Sequence, residues 1–128
     1  MPMHIRERKL TPDEYRREQF QLFAEPVFMS VLKAEDLSTQ TTPILVLDLD
    51  GTLVGGGGAE EVRDRIDHLL NDGERTIVIN LQAIVRVDSA GLGALVQSYT
   101  RVTKRGGTMP LVNAPSHFRQ LVRSMMFL

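Results

Sequence analysis

Two short aliphatic runs, Ile44–Leu49 (ILVLDL) and Thr76–Leu81 (TIVINL), constrain this chain more than any other feature. In the first, branched side chains fall on both alternating faces and only Asp48 interrupts one of them, which predicts a strand buried on both sides. The second is a buried strand of the same kind. Between them, from about Ala59 to Asn71, Val62, Ile66, Leu69 and Leu70 form one helical stripe, while Glu60, Glu61, Arg63 and Asp64 face water. The acidic pair sits where the helix dipole favours negative charge, and Asp72-Gly73 ends the helix. A strand, a covering helix and a second buried strand predict a parallel pair.

The alternation continues downstream. Asp88 and Ser89 suit the cap of a helix from about Ala90 to Arg105, with Leu92, Leu95, Val96, Tyr99 and Val102 at helical spacing. Arg101, Lys104 and Arg105 crowd its C-terminal end, and Gly106-Gly107 stops it. Thr108–Val112 reads as a strand, and Asn113-Ala114-Pro115 leads into a last helix carrying Phe118, Leu121, Val122 and Met125. Residues 3–10 alternate loosely, as a short edge strand does. Asp50-Gly51 reads as a turn, with Thr52–Val54 a hairpin arm or bent strand, Gly55–Gly58 a flexible loop, and Gln82–Val87 short and irregular. The sum is an α/β fold: a mixed sheet with parallel pairs, covered by helices. At 128 residues the chain suits one domain over 1–128.

Residues 11–43 depart from the alternation. Thr11-Pro12-Asp13-Glu14 combines a cap, a proline at the first helical position and a capping-box glutamate. The helix it starts would gather Tyr15, Gln19, Leu22 and Phe23 on one face, and Pro26 should end or kink it. A second short helix with Val27, Phe28, Val31 and Leu32 and a polar loop over Ser38–Pro43 complete the segment. Three of the five phenylalanines lie here, so packing on its own domain is expected. Its other use would be a partner surface or self-association.

Composition removes several classes of function. Without cysteine there is no disulfide, no thiolate chemistry and no cysteine zinc site. A net charge of -1 gives no electrostatic case for nucleic acid or a polybasic membrane anchor. No run approaches bilayer length and Met1–Leu10 has no signal core, so a soluble cytoplasmic protein is expected. His4, His68 and His117 are too scattered to suggest a metal site, and no Lys-Ser or Lys-Thr follows the glycine run to make a nucleotide loop.

Two segments could carry chemistry. Leu45–Thr52 (LVLDLDGT) resembles the first motif of haloacid-dehalogenase-type phosphatases. That resemblance implies Asp48 as phosphoryl-accepting nucleophile, Asp50 as acid/base, and magnesium held between carboxylates. The rest of the chain argues against it: lysines occur only at 9, 33 and 104, and no acidic residue follows Asp88 to make a late metal-binding pair.

Val87–Leu95 (VDSAGLGAL) is similar to the signature of the STAS domain, the family of anti-sigma-factor antagonists. The likeness runs over about residues 44–128: the strand TIVINL, Asp88–Gly93, the Gly106-Gly107 stop and the Asn113-Ala114-Pro115 helix entry. It implies a non-enzymatic regulator that needs no cofactor, docks an anti-sigma factor or serine-kinase-type regulator, and so releases a sigma factor to control transcription. The partner surface would be Asp88, Ser89, Ala90, Gly91 and Leu92. Gly91 and Gly93 would let another chain approach, and Leu92 and Leu95 would anchor the helix. Phosphorylated members carry two hydroxyl residues after the aspartate and use the second. Here that position is Ala90, which leaves Ser89 as the acceptor or the module unswitched. Beside the family, 11–43 is an insertion between the first two strands, and the chain has an early C-terminal end.

Overall fold

The computed structural model describes residues 3–23 and 43–126. Strand β1 (His4–Leu10) leads through helix α1 (Pro12–Glu18) towards β2 (Ile44–Leu53). Helix α2 (Gly58–Asn71), strand β3 (Ile77–Val87), helix α3 (Ser89–Lys104), strand β4 (Leu111–Val112) and helix α4 (Ser116–Met126) follow. The sheet order is β1-β2-β3-β4, with β1 antiparallel to β2 and the other pairs parallel. The α/β class and the mixed sheet are as the alternation predicts.

The doubly aliphatic strands have both faces covered. Leu45, Leu47 and Leu49 of β2 and Ile77, Ile79 and Leu81 of β3 join the α2 stripe and Leu92, Leu95 and Val102 of α3 in the main core. Each such side chain contributes about 1.5–3 kcal/mol by leaving water. On the opposite side Leu10, Ile44, Val46, Val78 and Val112 form a second cluster against Tyr15 and Phe20.

Several boundaries differ from expectation. Asp50-Gly51 does not turn: β2 runs on to Leu53, with Gly51 at φ 129° inside the strand. Gln82–Val87 is not irregular but the second half of β3, which carries one extra residue between Asn80 and Ala83 and another at Val85 relative to β2. Such bulges hide a strand from a two-residue period. β4 is only two residues long, and Thr108 contributes an isolated bridge to Thr76. The glycine run is a tight turn at 55–57 rather than a loose loop, because Gly56 and Gly57 N–H donate to the Glu60 carboxylate at 3.3 and 2.9 Å. Gly58 already belongs to α2.

Helix α1 has the expected capping box but stops at Glu18, where Gln19 takes the left-handed conformation. The predicted face of Tyr15, Gln19, Leu22 and Phe23 is therefore split. Tyr15 packs on Phe20 (ring centroids 5.3 Å), while Leu22 bridges Val112 in antiparallel fashion beyond β4. Phe23 N–H donates to Leu111 C=O at 2.8 Å, and its ring meets Phe118 edge-on at 5.5 Å. Residues 11–23 thus cross from the β1 edge of the sheet to its β4 edge, and this part packs on its own domain. The expectations at Pro26, the second short helix and Ser38–Thr42 lie outside the described residues.

Candidate functional site

The starts of α2 and α3 both rest on the last two residues of β2. A Cβ on Gly91 would lie 1.9 Å from the Leu53 carbonyl oxygen, and one on Gly58 would lie 2.0 Å from that of Thr52. Only glycine permits backbone to approach backbone so closely. Asp88 fastens the arrangement. Its N–H donates to Leu53 C=O at 3.3 Å, and its carbonyl accepts from Leu92 N–H at 3.0 Å. Its Oδ1 accepts from Gly91 N–H at 2.8 Å, and Gly55 N–H reaches Oδ1 and Oδ2 at 3.3 and 3.2 Å. One carboxylate thereby satisfies an orphan donor of the helix start and holds the glycine turn beside it.

The five residues expected to meet a partner separate in space. Ser89 and Ala90 are exposed on the first turn, and Asp88 is half-buried beneath them. Gly91 and Leu92 are buried, so Gly91 lacks a side chain for the sake of Leu53 and not to admit another chain. Gly93 is the glycine with open space: nothing described lies within 4 Å of where its Cβ would be. Ser89 does not cap; the Asp88 side chain alone does. Sequence reasoning missed Gly55, whose added Cβ would come within 2.8 Å of the Ala90 Cβ. The signal available was the glycine run itself, which reads as a linker until its neighbour is known.

Asp48 and Asp50 stand in mid-strand, not at a strand end. Asp48 Oδ2 accepts from Arg8 Nε at 2.6 Å and Arg6 Nε at 3.2 Å, and Oδ1 from Arg8 Nη2 at 3.0 Å and Asn80 Nδ2 at 2.8 Å. Burial pushes its carboxyl up. The hydrogen bonds from Arg8 and Asn80 and the positive charge of Arg8 outweigh that and hold it below the ordinary value. The hydrogen bond to Asp48 in turn raises the Arg8 guanidinium. A carboxylate so engaged is a poor nucleophile. Among the described residues no three His, Asp or Glu side chains come together to hold a metal.

The STAS domain model matches residues 37–128. The chain belongs to the STAS domain family. Among solved structures, the anti-sigma factor antagonist SpoIIAA in its unphosphorylated form is 21% identical, with 81% of each chain covered and a TM-score of 0.53. The Bacillus cell fate determinant SpoIIAA in its phosphorylated form is 20% identical, with 83% of this chain and 82% of that chain covered and a TM-score of 0.54. At such identities these two likenesses establish the fold. A structure of Mglu is 31% identical over 52% of this chain, at a TM-score of 0.47, and this chain spans 16% of its length. No curated protein sequence matches. In this STAS domain the Asp-Ser-x-Gly-Leu-Gly signature is the start of α3, and no described helix is long and apolar enough to cross a membrane.

Proposed function

We propose that this STAS domain is a non-enzymatic, cytoplasmic regulator that docks an anti-sigma factor or a related serine-kinase-type regulator through the start of α3, and so frees a sigma factor for transcription. One observation carries the reading. Ser89 and Ala90 are exposed on a helix start whose backbone is clamped from behind by Gly91 against Leu53 and by Asp88. A surface held rigid in advance loses little conformational freedom on binding. It consists of Ser89, Ala90 and Gly93, with Asp88 and the Gly55 turn at its margin; Gly91 and Leu92 support it from inside.

Ser89 is the hydroxyl open to regulation. A phosphate there adds about -1.5 to -2 charges next to Asp88 and fills a surface otherwise made of small side chains. No observation favours the phosphatase alternative through Asp48 and Asp50.

The test is a pull-down with the cognate kinase-type regulator, comparing the native chain with Ala90→Glu. Capture of the native chain and loss of capture in the variant is the expected result. Equal capture of both overturns the proposed surface. Incubation with that kinase and ATP, followed by mass spectrometry, decides between a module switched at Ser89 and an unswitched one.

A further inference from the structure

We propose that Gly55 is a positioning residue of the docking surface: through its contact with Ala90 it sets where the start of α3 stands against the glycine turn, and so how well a partner fits. This inference rests on the docking reading above. The glycines of the run are needed for different reasons. Gly56 has a left-handed φ of 81°, and a Cβ on Gly58 would meet the Thr52 carbonyl oxygen at 2.0 Å. Gly55 has neither constraint, because its φ is not positive and no backbone atom presses on it. Among the described residues, and apart from its chain neighbours, the sole atom within 4 Å of its added Cβ is the Ala90 Cβ, at 2.8 Å. Glycine at 55 therefore answers to Ala90 alone.

Two carboxylates draw the turn into this contact. Asp88 accepts from Gly55 N–H on the α3 side, and Glu60 accepts from Gly56 and Gly57 N–H on the α2 side. The turn is tied to both helix starts, and Gly55 meets Ala90 where the two ties converge. The Ala90 Cβ is fixed to the helix backbone and cannot rotate aside as the end of a long side chain can. A methyl group added at 55 must then displace either the turn or the first residues of α3. Gly55 and Ala90 are both exposed, so that displacement falls on the docking surface and not on the core. Interfaces are packed as closely as protein interiors, so a displaced surface binds less well. Gly91 is held by a backbone carbonyl, which no substitution removes; the obstacle at Gly55 is one methyl group, which Ala90→Gly takes away.

The experiment is a double-mutant cycle on the intact chain: native, Gly55→Ala, Ala90→Gly and the two together. Binding is titrated with the kinase-type regulator of the pull-down above, amide hydrogen exchange is followed without it, and thermal melting checks folding. Gly55→Ala is expected to weaken binding about tenfold in the native background and less than about twofold in the Ala90→Gly background, as residues in direct contact do. Exchange at residues 55–57 is expected to quicken in Gly55→Ala and to return towards the native rate in the double variant. An equal loss of binding in both backgrounds overturns the inference, because the partner would then touch residue 55 itself. No loss in either background, or a Gly55→Ala chain that does not fold, also overturns it. If the native chain is not captured, the docking reading falls and takes this inference with it; capture of the native chain without the coupling sinks this inference alone.

Discussion

Two glycines two residues apart in α3 do opposite things. Gly91 has the Leu53 carbonyl 1.9 Å from where its Cβ would be, and a backbone atom cannot swing aside. Gly91→Ala is expected to lower stability by about 1–3 kcal/mol, as overpacking against fixed structure does. Gly93 has open space and helical neighbours, so Gly93→Ala should raise stability by up to about 1 kcal/mol, since alanine favours a helix over glycine. Urea unfolding of the two variants measures both changes. Similar losses in both would mean that α3 does not rest on β2 as described. Nothing in the Asp-Ser-Ala-Gly-Leu-Gly string distinguishes the two glycines; the difference lies in what stands behind each.

Between elements, the pairing of β1 with β2 sets a basic strand beside an acidic one. The register places Arg6 directly opposite Asp48, which also accepts from Asn80 of β3. This carboxyl titrates lower in the folded chain than in the unfolded one. Its stabilisation is therefore fully present above the unfolded value of about 4 and is lost as pH falls through the folded value. Asp48→Asn is expected to cost about 1–3 kcal/mol at neutral pH, typical of hydrogen bonds to a charged group. The gap from the native chain should close as the pH drops below about 4. Denaturant midpoints measured from pH 7 to pH 2 check this, and a gap independent of pH would contradict it. The LVLDLDGT string suggested catalytic carboxylates because it does not reveal that Arg8, forty residues earlier, already occupies one of them.

At the scale of the whole molecule, residues 11–23 tie the two edges of the sheet together. They leave β1 at Leu10, cross the face where Tyr15 and Phe20 pack, and end with Phe23 against Leu111 and Phe118. Phe23→Ala keeps the backbone bond to Leu111 but empties a buried site, and should cost about 3–5 kcal/mol. A thermal melt reads this directly, and a loss below about 1 kcal/mol would show that the crossing is not anchored through that ring.

The sequence by itself determined the α/β class, the doubly buried strands, the helix faces and a cap at Asp88 or Ser89. Each follows from hydrophobic period or from hydrogen bonds spanning only a few residues, and these are written locally. Only the tertiary structure decided that Gly91 and Gly58 serve the carbonyls of β2, that Asp48 is neutralised by β1, and that Phe23 belongs to the main core. It also decided that β3 runs on past its bulges. Those outcomes depend on which segments become neighbours across tens of residues. Packing and strand register set that, and no local spacing encodes it.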